Sequence, residues 1–167
     1  VCNIGNGSPR LNKSNYNKWI SYFNDNFFSA VNIIEQSKKY LAETKGSIIC
    51  ISSICGIETI KNAPVEYSVA KSALNSYVKL ISMSLGANKI KINAIAPGNI
   101  YFKGSVWEKK LTSNKRKTLN YIKENVPLKK LGNPDDISEL CLYLSSNRSN
   151  FITGAVFIVD GEKLKKF

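Results

Sequence analysis

Gly46-Ser47-Ile48-Ile49-Cys50-Ile51-Ser52-Ser53-Ile54-Cys55-Gly56 is followed by a ten-residue connection, Ile57 to Glu66, and then by Tyr67-Ser68-Val69-Ala70-Lys71. The reading of this stretch decides the fold. Ile48, Ile49, Cys50 and Ile51 form a continuous apolar run, as expected of a strand covered on both faces in a parallel sheet. The run ends in Ser52, Ser53 and Gly56. From about Glu66 to Leu85 the residues Val69, Ala70, Ala73, Leu74, Tyr77, Val78, Leu80 and Ile81 recur at helical spacing, and Gly86 is expected to stop that helix. Tyr67 and Lys71 are four apart, so they share one face of it, a turn from each other. A serine at a strand end beside a tyrosine and a lysine at this spacing is an arrangement that can move a proton.

Outward from this stretch, Val1 to Ile4 reads as the tail of a buried strand, and Gly5 to Pro9 as a turn-rich loop. Ser14 is the expected N-cap of a helix that reaches about Leu41, with Asn26 near its middle. Gly46 ends it. Lys89 to Ala96 is the next strand, closed by Pro97-Gly98. Asn99 to Asn125 is Lys-rich and less regular, with Tyr101, Phe102 and Trp107 in a polar setting. Asn133-Pro134-Asp135-Asp136 starts a helix that runs to about Ser145, having a cap, a first-turn proline and acids in the first turn. Val156 to Val159 is the last strand. Strands alternating with helices predict an α/β fold: a Rossmann-like doubly wound parallel sheet with helices on both faces. Ligands of such sheets sit beyond the carboxyl ends of the strands, where Gly5, Ser53 and Pro97-Gly98 should gather with Tyr67 and Lys71.

Composition narrows the function. The 167 residues carry a net charge of +12, which invites a nucleic-acid reading. The basic residues are nearly all lysine, however, with arginine only at positions 10, 116 and 148, and arginine is the usual base reader. The lysines cluster loosely, at Lys109-Lys110, Lys115 to Lys117, Lys129-Lys130 and Lys163-Lys165-Lys166, and read as solvated surface. The expected partners therefore include neither nucleic acid nor membrane, since no apolar run reaches the roughly 18 residues of a membrane span. Cys2, Cys50, Cys55 and Cys141 lack metal-site spacing and there is no histidine, so no metal is expected. They read as small core residues in a reducing compartment, which predicts a cytoplasmic protein. Without histidine, Ser-His-Asp and Cys-His chemistry are excluded, and another residue must serve as acid or base. No signal-peptide pattern follows Val1, and the first residue is not Met, so part of the protein is expected to lie upstream.

The ordered motifs resemble those of the short-chain dehydrogenase/reductase family along essentially all 167 residues. Cys2-Asn3-Ile4-Gly5 resembles the family's NNAG. Asn26, seven residues after Trp19, resembles its helix asparagine. Ile51 to Gly56 resembles ISSxxG, Tyr67 to Lys71 is YxxxK, and Pro97-Gly98-Asn99-Ile100 resembles the PGxV loop. Leu131 to Ile137 resembles a G-x-P-E-D-I-A helix start, and Thr153-Gly154 and Val159-Asp160-Gly161 resemble the TG and VDGG near the family's C-terminus.

The resemblance implies an NAD- or NADP-dependent oxidoreductase that interconverts a carbonyl and an alcohol. Tyr67 would be the acid/base, with Lys71 lowering its pKa and holding the nicotinamide ribose. Ser53, which takes the second-serine place, would steady the substrate oxygen. Asn26 would hold a water linking Lys71 to solvent. Asn3, Gly5, Pro97, Gly98 and Ile100 would complete the cofactor site. Apart from the resemblance, the polar segment between Phe102 and Trp107 favours a mobile substrate lid for these two aromatics over a place in the core. The long helices resemble those of the family's oligomer interface and imply a homo-oligomer, a dimer or tetramer, when full length. The family's glycine-rich TGxxxGxG turn does not occur in this sequence. The pattern places about 80 residues, some three βα units, before Val1, so residues 1–167 are expected to be the C-terminal portion of a single dinucleotide-binding domain. Phe102 stands where the family has Thr. An inactive truncated homologue acting as a scaffold and a basic nucleic-acid-binding domain are the alternative readings.

Overall fold

A computed structural model of the chain describes residues 1–7 and 14–161. The turn through Ser8 and Pro9 and the basic tail at Lys163, Lys165 and Lys166 lie outside the described residues. Three strands, β1 (Ser47–Ile51), β2 (Lys91–Pro97) and β3 (Val156–Val159), form a parallel sheet in that spatial order. Ile48 pairs with Ile92 and Cys50 with Ala94, while Ile95 pairs with Phe157. The expected strand tail at Val1 to Ile4 reduces to a single bridge. Cys2 lies parallel to Cys50, its N–H donating to Ile49 O at 2.7 Å and its carbonyl accepting from Ile51 N at 2.9 Å.

Side chains alternate across the pleat, and each face has its own cover. Ile48, Cys50, Ile92 and Ala94 pack with Cys2 against Ala30 and Ile34 of α2 (Ser29–Thr44) and against Leu74, Val78 and Leu85 of α3 (Val65–Ala87). Ile49, Ile51, Ile95, Phe157 and Val159 pack on the other side against Ile137, Leu140, Cys141 and Leu144 of α6 (Pro134–Ser145). Helices on both faces explain why β1 is apolar throughout rather than alternating. The doubly wound α/β architecture expected from the sequence is the one observed.

Several local expectations are corrected. Asn15, not Ser14, caps α1 (Tyr16–Phe23), its side chain accepting from Lys18 N at 2.9 Å. The Ser14 hydroxyl instead donates to Glu66 Oε1 at 2.6 Å. The long first helix is widened into a π-helical turn over Asn24–Phe28 before α2 continues to Thr44, and Lys45 ends it in the left-handed region at φ 54°. Gly86 lies inside α3, which ends one residue later, where Asn88 N–H bonds the carbonyls of Leu85 and Gly86. Strand β2 begins at Lys91 rather than Lys89.

The segment read as irregular folds into two helices, α4 (Val106–Ser113) and α5 (Lys115–Asn125). Their charged surfaces hide the helical period, and their caps carry the signal instead. The Ser105 hydroxyl accepts from Glu108 N, and the Asn114 side chain accepts from Lys117 N. Helix α6 starts as expected, with a capping box in which Asn133 accepts from Asp136 N and Asp136 accepts from Asn133 N.

Candidate active site

The carboxyl ends of β1 and β2 and the first turns of α3 meet at one edge of the sheet. Beyond β1, Ser52 and Ser53 face different ways. The Ser52 hydroxyl is buried and turned to the backbone carbonyl of Lys71 at 3.4 Å. The Ser53 side chain accepts from Cys55 N at 3.2 Å, opens a short 3-10 turn over Ile54–Gly56, and lines the same cleft as Tyr67. Gly56 lets that turn lie directly on α3. A Cβ there would sit 2.7 Å from the Lys71 carbonyl carbon, and the Gly56 carbonyl accepts from Ser72 Oγ and Asn75 Nδ2.

Helix α3 is fixed at its start by Glu66. This carboxylate is buried, accepts from the Ser14 hydroxyl, lies 3.4 Å from Lys18 Nζ, and sits in the first turn where the helix dipole favours it. The Ser14 hydrogen bond is the main cause holding its pKa below the usual carboxylate value. Its stabilisation is therefore present above the ordinary value and lost as pH falls through the folded one. Replacing Glu66 by Gln is expected to cost about 1–3 kcal/mol at pH 7. That loss should fade in urea titrations at low pH, where the native carboxylate is also protonated.

Tyr67 follows Glu66 directly and is half-buried. Burial raises its pKa above the ordinary value, and the neighbouring Ser53 hydroxyl opposes that rise. The lowering expected from Lys71 is not what this arrangement gives. The Lys71 ammonium lies 5.9 Å from the Tyr67 ring centre and donates instead to Ile51 O at 2.8 Å, so desolvation dominates at the tyrosine. Lys71 itself is 3 % exposed, and burial lowers its pKa from 10.5 to about 8.

Asn26 reaches the same place from the π-helical turn. Its Nδ2 donates to Tyr22 O at 3.0 Å and to Asn6 O at 3.3 Å, and its Oδ1 accepts from Asn6 N at 3.0 Å. Gly5 is the hinge of the arrangement. A Cβ on it would fall 2.7 Å from Asn26 Oδ1 and 3.1 Å from Lys71 Nζ, so the carboxamide and the ammonium bracket one backbone position.

In front of these groups lies a cleft of about 850 Å³. Gly5, Ser53, Tyr67, Gly98, Phe102 and Trp107 line it, while Asn26 and Lys71 are buried behind its wall. Asn3, Pro97 and Ile100 do not line it; Asn3 is exposed. Ile100 forms a parallel bridge with Gly132 made by Asn99 O and Tyr101 N, which leaves the amide and carbonyl of Ile100 facing away from that partner. Sequence reasoning missed Cys55, Lys110, Lys117 and Tyr121, which also line the cleft. Cys55 is thus a cleft residue rather than a core one. The spacing of Lys110 three residues after Trp107, and of Tyr121 four after Lys117, was the available signal.

A family model described as enoyl-(acyl carrier protein) reductase matches residues 1–161. Isoepoxydon dehydrogenase patN of Aspergillus clavatus is 32% identical over 162 residues, which are 95% of this chain and 61% of that protein. The structure of a 4-hydroxyisoleucine dehydrogenase complexed with NADH superposes with a TM-score of 0.79 at 27% identity, over 95% of this chain and 65% of that one. An oxidoreductase of the short chain dehydrogenase/reductase family from Burkholderia thailandensis gives a TM-score of 0.82 at 26% identity, over 96% of this chain and 61% of its own. The chain thus spans a little under two thirds of the length of each of these proteins.

Proposed function

The chain belongs to the short-chain dehydrogenase/reductase family, and on that premise we propose that it carries the proton-transfer machinery of an NAD- or NADP-dependent oxidoreductase acting on a carbonyl/alcohol pair. The observation that carries the proposal is the cluster in which Ser53 and Tyr67 line one cleft with Lys71 behind them, a cleft large enough for a small molecule beside a nicotinamide. The residues present fit the nicotinamide end of a dinucleotide. Gly5 and Gly98 leave that wall of the cleft as backbone. The dinucleotide, when bound, exchanges the hydride.

The chain's own residues supply the rest. Burial keeps Tyr67 protonated at neutral pH, so its phenol donates to the carbonyl oxygen during reduction, while in the reverse direction its phenolate takes the alcohol's proton. The Ser53 hydroxyl donates to the same oxygen as charge develops there. Lys71, with a pKa of about 8, holds the proton that restores Tyr67, and the Asn26 carboxamide across Gly5 orients the path to solvent. Helices α2 and α3 also expose Tyr40, Leu80 and Met83, apolar surface that a second copy would cover in a homo-oligomer. Among the described residues no helix is long and apolar enough to cross a membrane.

The test is dinucleotide-dependent reduction of a small aldehyde by the whole protein. Ser53→Ala is expected to lower kcat by about 10²-fold, with dinucleotide affinity kept. Equal kcat in the variant would remove Ser53 from the mechanism.

A further inference from the structure

The substrate side of the cleft has a charge of one sign. Lys61, Lys110 and Lys117 line it, and no Asp or Glu is among its lining residues. Helices α4 and α5 hold the last two lysines at one junction. The Thr118 hydroxyl, buried between the helices, lies 3.0 Å from Lys110 O and 2.9 Å from Asn114 O, which ties the end of α4 to the residues beside Lys117. Trp107 and Tyr121 stack across the same junction, with centroids 5.7 Å apart and planes 30° apart. The Lys110 ammonium lies over the Trp107 ring at 4.1 Å, and no carboxylate pairs with Lys110 or Lys117 among the described residues. Glu108, the nearest acid on α4, is engaged by Gly104 N at 2.7 Å. Two lysines thus line the cleft beside a stacked aromatic pair, Lys110 over the Trp107 ring, with no carboxylate paired to either among the described residues.

Resting on the oxidoreductase reading above, we propose that the substrate carries an anionic group, a carboxylate or a phosphate, which Lys110 and Lys117 receive while its carbonyl reaches Tyr67. The stacked Trp107–Tyr121 pair shields one side of that group from water, which strengthens its attraction to the lysines. Partial burial already costs the Lys110 ammonium some of its hydration and lowers its pKa, and an anion against it offsets that cost. Lys110 and Lys117 are specificity residues in this scheme, remote from the proton transfer.

The experiment compares three aldehydes matched in size with the whole protein and its dinucleotide: 4-carboxybenzaldehyde, its methyl ester, and 4-formylphenyl phosphate. The acid or the phosphate is expected to exceed the ester in kcat/KM by about 10–100-fold, mostly through KM, the range of a charge-assisted hydrogen bond. The better of the two anions names the natural group. Lys110→Met with Lys117→Met should abolish the preference by bringing the acid and the phosphate down to the ester's kcat/KM. Lys109→Met, which removes a charge outside the cleft, should keep it. Neither lysine belongs to the core clusters, so the variants retain the fold, which thermal melting verifies. Calorimetric titration of the same aldehydes separates the two proposals. An anion that binds through the lysines without any aldehyde being reduced sustains this inference and overturns the oxidoreductase reading. Turnover of all three with no charge preference, or a preference that survives the double variant, overturns this inference and leaves the other standing. No binding of either anion also overturns it.

Discussion

Replacing Tyr67 by phenylalanine is expected to lower carbonyl reduction by about 10³-fold or more, within the 10²–10⁴-fold range of a general acid, while dinucleotide binding survives. The substitution removes one hydroxyl and keeps the ring packed where it is. Ser53 keeps its hydrogen bond from Cys55 N, so the change in stability is confined to about 1 kcal/mol. The pH profile separates loss of a proton donor from loss of a binding contact. Burial raises the tyrosine's pKa, so the wild-type protein holds the donating form throughout the neutral range, and reduction falls only as pH approaches that raised value. Oxidation of the alcohol needs the phenolate and rises with pH over the same interval. The residual activity of Tyr67→Phe should show neither limb. Stopped-flow reduction and fluorescence titration of the dinucleotide, each followed across pH, measure this. Wild-type turnover in the variant would remove Tyr67 from the reaction.

The parts of this site legible in the sequence are those that local spacing dictates. A continuous apolar run of Ile48 to Ile51 needs cover on both faces, which forces a parallel sheet and places Ser53 at its ligand-binding edge. Tyr67 and Lys71 share a helix face by period alone. Long-range partners were not legible. Nothing near Ser14 announces that its hydroxyl reaches Glu66, 52 residues away, and leaves the capping to Asn15. The π-helical turn around Asn26 arises because its side chain bonds the carbonyl of Tyr22, four residues back, and both backbone groups of Asn6, and the latter is a tertiary contact. The apolar period of α4 and α5 is diluted by lysines that line a cleft or meet water rather than a core. Their helicity was visible only in the caps Ser105 and Asn114. The Lys71–Tyr67 spacing was readable, but the sign of the tyrosine's shift was not, because that depends on burial and on the ammonium's bond to Ile51 O.

That bond makes Lys71→Met the second large effect, and one that separates structure from catalysis. In the native chain Lys71 is buried, its ammonium donates to a backbone carbonyl, and its pKa is about 8 against an ordinary 10.5. Between those values the unfolded chain binds the proton that the native lysine has lost, so native stability rises with pH across this window. Below about pH 8 both forms are charged, and the native state bears the full cost of burying the ammonium. Methionine has no proton to lose and shows no such rise. The stability of the wild type relative to Lys71→Met should therefore increase by roughly 3 kcal/mol between pH 7 and pH 10.5, the free-energy equivalent of the shift. Urea denaturation of both proteins at the two pH values measures this, and other titrating groups cancel in the difference. A difference independent of pH would show that the lysine is not held in its depressed state. Turnover should fall in Lys71→Met at every pH, by about 10²–10³-fold, within the span of general acid–base catalysis, because no group near neutrality remains to return a proton to Tyr67. A variant as stable as the wild type at pH 7 yet inactive would mean that the buried charge is kept for the reaction and not for the fold. The geometry supports that ordering, since the hydrogen bond to Ile51 O offsets only part of what burying an ammonium costs.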